Sequence, residues 1–302
     1  MSGSVPGSLQ QTRTIRIIGA RRYTTISPLR YPGGKASLAG PLADLINTLD
    51  SHITCYVEPY AGGAGAGITL LREGIVDRLV INDIDPAVYS FWKTVTTEND
   101  RLVEQIGKVP LTIEEWKRQR AIYRNPDTRV GFELGFAFFY LNRTNRSGIL
   151  TGGVIGGLQQ QGEYKIGARF NRETLANRIR ALSEIGDRIT VTAKDGRTVI
   201  REYAKRESTF MYIDPPYVKA GAGLYLKSFD RHDHINLANT IKEAAPPYWL
   251  MTYDDSPLVR GLYQGYPQGV LELAYSTNRK TRVEELVVAS PRVAAAIRAS
   301  AE

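Results

Sequence analysis

The segment Val57-Glu58-Pro59-Tyr60-Ala61-Gly62-Gly63-Ala64-Gly65-Ala66-Gly67 joins an apolar run beginning at Ile53 to a helix-like stretch ending near Arg72. A turn so poor in side chains lets backbone pass close to a ligand, and its place between strand and helix is that of a nucleotide-type loop. The alternation continues. Arg78 to Ile81 reads as a second strand and Pro86 opens a second helix. After a long interruption, Arg188 to Thr192, Thr209 to Ile213, Tyr248 to Thr252, Gly269 to Ala274 and Glu285 to Ala289 supply further strands, with a helix around His234 to Ala244. Seven strands are available, and strands alternating with helices predict an α/β fold with a parallel sheet of the wound type.

Spacing narrows what the loop binds. A dinucleotide fingerprint needs Gly at n, n+2 and n+5, but Gly63 and Gly65 lead to Ile68, and Gly65 and Gly67 lead to Leu70. A P-loop needs Gly six residues before a Lys-Ser/Thr pair, and Gly33-Gly34-Lys35 has Leu29 there and Ala36 after the lysine. What remains is a turn headed by the acidic Glu58, with Asn82-Asp83-Ile84-Asp85 at the end of the next strand. A carboxylate there can accept both ribose hydroxyls of an adenosine lying across the strand ends. Acids around a cationic ligand, rather than Lys and Arg around phosphate, point to S-adenosylmethionine. Glu58, Pro59, Tyr60, Gly62 and Gly63, with Asp83 and Ile84, form the expected cofactor side of the site. Asp83 is also placed to cap the helix at Pro86.

The strand Thr209 to Ile213 ends in Asp214-Pro215-Pro216-Tyr217. Two prolines stiffen the chain, so the Asp214 carboxylate and the Pro215 carbonyl are expected to face outward at the strand's C-terminal end. Two fixed acceptors suit an exocyclic amino group with two hydrogens to donate, and an aromatic three residues on can stack on a base. His232 and His234 do not share a helix face and are expected as surface or capping residues, with no metal implied.

Charge locates a second function. The chain has 39 Lys and Arg against 31 Asp and Glu, a net +8. Residues 101–206 hold 20 of the basic residues and 11 of the acidic ones, a net +9, so the remainder sums to −1. A polyanion-binding module set into a near-neutral body would have this distribution. The helical stretch Gly131 to Leu141 within it carries Phe132, Phe136, Phe138, Phe139 and Tyr140, expected as the core of that module. One cysteine, Cys55, rules out a disulfide framework and fits a reducing cytoplasm. No apolar run is long enough to span a membrane. Residues 1–22 are polar, lack amphipathic periodicity and are expected as a flexible tail.

The blocks Ser27-Pro28-Leu29-Arg30-Tyr31-Pro32-Gly33-Gly34-Lys35, Val57 to Gly63, Asn82-Asp83, Leu141-Asn142-Arg143-Thr144, Asp214 to Tyr217 and Arg282-Val283-Glu284-Glu285-Leu286 stand in a telling order. In that order they resemble the Dam-like family of DNA adenine-N6 methyltransferases, from about Ser27 to Ser290. The resemblance implies a Rossmann-like, seven-stranded S-adenosylmethionine-dependent methyltransferase sheet, residues 23–97 and 175–302, interrupted by a mainly helical target-recognition insert, residues 98–174. It also implies that Tyr31 and Lys35 contact the cofactor, that Asp83 and Asp214 match two further cofactor-contacting acids, and that Asp195 holds the cofactor adenine's amino group.

The implied reaction needs no metal, because a sulfonium methyl is already an activated electrophile. Asp214 and the Pro215 carbonyl would accept hydrogen bonds from the target amine, Pro216 would stiffen the turn, and Tyr217 would stack on a base flipped out of the duplex. Methylation of cytosine at carbon-5 would need a cysteine nucleophile, and Cys55 lies inside the first strand. Double-stranded DNA is the implied partner, held by Arg143, Asn145, Arg146, Ser147, Arg169, Asn171, Arg172 and Lys280. A cognate restriction endonuclease is a further partner such an enzyme can have, and a monomer or weak dimer is expected. Where relatives place an aromatic and a base-reading arginine, this chain has Arg146 and Thr151, a departure from what a GATC reader carries. Methylation of RNA adenine or of cytosine-N4, and an inactive DNA-binding relative, stay open as alternatives; Asp rather than Asn or Ser at position 214 favours DNA adenine.

Overall fold

The computed structural model describes residues 23–30, 35–125, 127–218, 229–274 and 282–299. The tail, Tyr31 and Lys280 lie outside them.

The elements run α1 (Ala39–Asn47), β1 (Cys55–Glu58), α2 (Gly65–Arg72), β2 (Arg78–Asn82), α3 (Pro86–Thr97), α4 (Asn99–Lys108), α5 (Ile113–Arg124) and α6 (Phe132–Thr144). They continue with α7 (Arg172–Ser183), β3 (Ile189–Thr192), α8 (Gly196–Tyr203), β4 (Thr209–Ile213), α9 (Arg231–Ala244), β5 (Trp249–Tyr253), α10 (Pro257–Leu262), β6 (Gln268–Ala274), β7 (Arg282–Ala289) and α11 (Pro291–Ala299). All seven strands expected from the sequence form one sheet in the order β3-β2-β1-β4-β5-β7-β6. The first five are parallel, and β7 runs antiparallel between β5 and β6. Strand limits shift slightly from the sequence reading: β1 starts at Cys55, leaving Ile53 buried ahead of it, and β7 starts at Arg282.

Side-chain alternation divides the core between the two faces of this sheet. Tyr56, Leu79, Ile81, Phe210, Tyr212 and Leu250 pack on one face, and Val57, Val80, Met211, Ile213, Trp249 and Met251 on the other. Strands β4 and β5 are buried along their whole length, which explains why they read as unbroken apolar runs rather than alternating ones.

Helix α6 joins the first face. Phe91 of α3 stacks on Phe139 at 5.6 Å between centroids and meets Phe138 at 5.8 Å, so aromatics of the inserted segment and of the sheet's covering helix share one apolar cluster. Phe136, Phe138, Phe139 and Tyr140 are buried, as a core helix requires.

Candidate active site and nucleic-acid interface

The strand order reverses between β1 and β4: β1 is followed outward by β2 and β3, while β4 is followed by β5, β7 and β6. The C-terminal ends of β1 and β4 flank the crevice where open α/β sheets bind ligands. Glu58 closes β1, and Asp214 follows β4 directly. Two motifs far apart in sequence are therefore neighbours because their strands are paired.

Asp214 is held by three groups. Its Oδ1 accepts from Thr252 Oγ1 at 2.9 Å and from the Tyr217 hydroxyl at 3.2 Å, and Lys35 Nζ stands 3.3 Å from Oδ2. The Tyr212 hydroxyl and Thr252 Oγ1 are 2.6 Å apart. With the Thr252 proton committed to Asp214, Tyr212 is the donor in that pair, and a buried chain of hydroxyls orients the carboxylate. Lys35 Nζ also donates to the Tyr217 hydroxyl at 2.9 Å and to Glu285 Oε1 at 3.2 Å. Pro215 is buried, while Asp214, Pro216 and Tyr217 are half-buried at the crevice.

The glycine turn is braced from several sides. Gly62 adopts φ +47°, a conformation open to glycine, and Ala64 takes φ +45°, which costs a residue with a Cβ about 1 kcal/mol. Gly62 N–H donates to Asp83 Oδ2 at 3.0 Å, its carbonyl accepts from Trp92 Nε1 at 2.8 Å, and Ser27 Oγ donates to the Gly63 carbonyl at 2.8 Å. Asp83 thus ties the turn to the end of β2. It does not cap α3: Asp85 does, accepting from the Ala87 and Val88 amides. Asn82, fully buried, donates to the carbonyls of Pro59 and Lys194 and so links the ends of β1, β2 and β3.

Two acids at these strand ends, Glu58 and Asp83, are displaced from their ordinary range. Burial raises Glu58 from 4.5 to about 8, opposed by the Gly67 N–H and reinforced by the Asp214 charge. Burial likewise raises Asp83 from 3.8 to about 7, against the Asp85 and Gly62 amides. Acids kept protonated by desolvation are poised to ionise when a cation arrives. Tyr60 lies against α8, where a Cβ on Gly196 would meet its ring at 2.4 Å, and its hydroxyl is buried with no hydrogen-bond partner among the described residues. Asp195 caps α8 through the Arg197 N–H and pairs with the Arg197 guanidinium at 2.5 Å. Ile84 is exposed at the rim. A displaced acid pair and an orphaned hydroxyl around one crevice fit a cationic nucleoside derivative.

His234 corrects the sequence reading. It is buried, and its Nδ1 lies 2.5 Å from the Tyr253 hydroxyl, because α9 turns this position onto β5. His232 is exposed, as expected, and Asp233 completes a capping box with Asp230.

The basic insert sorts into structural and exposed groups. Asn145 is fully buried: its amide donates to the Ile149 and Leu150 carbonyls, and its Oδ1 accepts from Trp116 Nε1 at 2.7 Å. Asn171 caps α7. Arg172 donates to the carbonyls of Ile106, Gly107 and Val109, closing the C-terminus of α4. All three were expected to face DNA, and all three are occupied within the fold. Arg146, Ser147 and Arg169 are exposed. Arg143 donates to the carbonyls of Arg169 and Pro28, and burial together with Arg30, Arg178 and Arg169 lowers its guanidinium to about 10. None of Arg143, Arg146, Arg169 and Arg172 forms an ion pair among the described residues.

Arg30, outside the basic segment, escaped the sequence reading. Asn142 of α6 clasps its backbone, accepting from Arg30 N–H at 2.8 Å and donating to its carbonyl at 2.9 Å. Gly148 lies against the same carbonyl at φ +76°, where a Cβ would come within 2.1 Å of the Arg30 oxygen. The insert is therefore stitched to the segment that leads into Lys35. Thr252 was also missed as a site-forming residue, since a lone Thr at a strand end gives no signal until its neighbours are known, and Asn82, quoted with its motif, was given no role of its own.

A doubly wound sheet with a glycine turn and an Asp-Pro-Pro-Tyr turn at its switch point defines a Rossmann-like methyltransferase. The chain belongs to the D12 class of N6 adenine-specific DNA methyltransferases, whose family pattern matches residues 31–279. It is similar to the type II methyltransferase M.MjaIII of Methanocaldococcus jannaschii, 24% identical over 218 residues, covering 68% of this chain and 73% of that protein. It is also similar to the type II methyltransferase M.CviBI of Paramecium bursaria Chlorella virus NC1A, 23% identical over 248 residues, covering 82% and 90%. Between the substrates the sequence left open, membership decides for adenine in DNA. No helix among the described residues is long and apolar enough to cross a membrane.

Proposed function

We propose that this DNA adenine methyltransferase takes its methyl group from S-adenosylmethionine, bound between the glycine turn and the end of β2, and delivers it to an adenine turned out of double-stranded DNA. S-adenosylmethionine, when bound, supplies a methyl already activated on a sulfonium. The observation that carries the reading is Asp214 at the switch point, with Thr252 and Tyr217 hydroxyls on one oxygen and a lysine on the other. A carboxylate oriented in this way accepts from the adenine amine, raises electron density on its nitrogen and stabilises the positive charge growing there. The Pro215 carbonyl takes the second amine hydrogen, Pro216 keeps the turn stiff, and Tyr217 offers its ring to the extruded base. Extrusion costs roughly a few kcal/mol, recovered by stacking and hydrogen bonds in the pocket.

Glu58 and Asp83 supply the negative ends for the cation, and Asp195 and the Tyr60 hydroxyl the polar contacts beside the α8 terminus. Arg146 and Arg169, both exposed, hold phosphate, and Arg30 and Arg143 add positive charge where the insert meets the segment leading to Lys35. The catalytic body is residues 23–97 and 175–302, with target recognition in 98–174. A cognate restriction endonuclease is a further partner such an enzyme can have.

The test is long-read mapping of methyladenine in DNA from methylation-free cells expressing the chain, beside an Asp214→Ala control. A mark confined to one sequence and lost in the control is expected; a wild type that adds no mark above control would overturn the reading.

A further inference from the structure

Glu285 has no place in the reading above, yet it is 4% exposed and bonded to the lysine that touches Asp214. Its position follows from the direction of β7. A parallel strand delivers side chains to the crevice only from its last residues, whereas an antiparallel strand delivers them from its first half. Tyr253, the last residue of β5, pairs with Leu286, so Glu285 stands just beyond the C-terminal end of β5, level with the Asp214 turn.

Three carboxylates and one ammonium meet here. Lys35 Nζ is 3.2 Å from Glu285 Oε1 and 3.3 Å from Asp214 Oδ2, and the lysine is only 7% exposed. The third, Glu58, is coupled to the Asp214 charge, which helps burial to keep it protonated. Burial pushes the Glu285 carboxyl up, the Asp214 charge adds to this, and Lys35 and the Tyr217 hydroxyl pull it back. An ammonium on Asp214 is a difficulty for the reaction: it occupies lone pairs that the adenine amine needs, and it puts a fixed positive charge beside a cationic methyl donor. Glu285 resolves both, as a second seat for the lysine and a counter-charge of its own.

We propose that Glu285 is a positioning residue that shares Lys35 with Asp214, neutralises part of its charge and gives it a second seat, so that the ammonium can leave the Asp214 carboxylate when a sulfonium donor and then the adenine amine are accommodated there. The inference rests on the reading that donor and amine meet at Asp214.

The test uses the full chain. Glu285→Gln keeps the shape and an acceptor but removes the charge, and it is expected to weaken S-adenosylmethionine binding about tenfold while leaving the uncharged thioether product, S-adenosylhomocysteine, within twofold of wild type. A collapsed pocket would weaken both ligands together, which would overturn the proposal, as would unchanged binding of both. Glu285→Ala is expected to lower kcat about 100-fold, and by no more than threefold further when introduced into Lys35→Ala; the same factor in both backgrounds would show that it does not act through the lysine. Glu285→Asp is expected to recover part of the activity. The Asp214→Ala control separates the two levels: if that variant still methylates, the reading of the site fails, whereas a dead Asp214→Ala beside a fully active Glu285→Ala sinks only the role of Glu285.

Discussion

The switch-point crevice and the basic insert were both marked in the sequence, but by different kinds of signal. In the crevice, each motif names a backbone event: a turn without side chains, a strand ended by two prolines. Such events happen wherever the local chain dictates, so Gly62, Asp83 and Asp214 all arrive at the ends of paired strands. In the insert the signal was a sum of charges. A sum says that phosphate is welcome but not which arginine meets it, and Arg172 proves to close a helix while Arg146 stands in solvent.

The largest effect that bears on this contrast is expected at Asp214. Asp214→Ala should lower kcat by about 10³-fold with the fold intact, since it removes an acceptor aimed at charge that appears only in the transition state. Single-turnover methylation of a defined duplex measures it, and a loss below tenfold would break the assignment of the crevice as the reacting site.

Next in size is a pair of neighbours in the insert. Asn145→Ala removes three hydrogen bonds and leaves the Trp116 N–H without a partner, so a loss of about 2–3 kcal/mol in denaturant unfolding is expected. Arg146→Ala should leave unfolding unchanged, weaken duplex binding several-fold, and reduce the slope of log affinity against log salt by about 1. If Arg146→Ala left that slope untouched, the division between structural and phosphate-facing residues would be wrong.

The smallest effect concerns pH. Glu58 and Asp83 hold their protons to about 8 and about 7 in the native chain, against 4.5 and 3.8 ordinarily. The unfolded chain therefore releases protons first, and the stability of the ligand-free protein should fall as pH rises through that window. A cationic donor favours the ionised acids, so its affinity should rise several-fold from pH 6 to pH 8, with protons released on binding. Calorimetry in buffers of different ionisation enthalpy reads both, and a pH-independent affinity without proton release would remove the two acids from the cofactor site.

Much of the fold was legible because burial on both sheet faces demands continuous apolar strands, and β4 and β5 are such strands. The site was legible where chemistry and turn coincide, at Glu58, Asp83 and Asp214. It was not legible where a residue acquires its role from a partner in another element. Thr252 looks like any strand threonine until β5 lies beside β4, and Arg30 sits apart from the basic segment until Asn142 draws it in. The pair His232 and His234 shows the same limit: one position on the helix faces water and the other the Tyr253 hydroxyl.

By itself, then, the sequence determined the α/β class, the seven strands, the Asp-Pro-Pro-Tyr turn and the location of the positive charge, because period, turn chemistry and composition are local properties. The tertiary structure alone decided the strand order that joins β1 to β4, the reversed β7 that brings Glu285 to Lys35, and the bonds that occupy Asn145 and Arg172. Those depend on which distant segments become neighbours, and a side chain's task depends on who stands opposite.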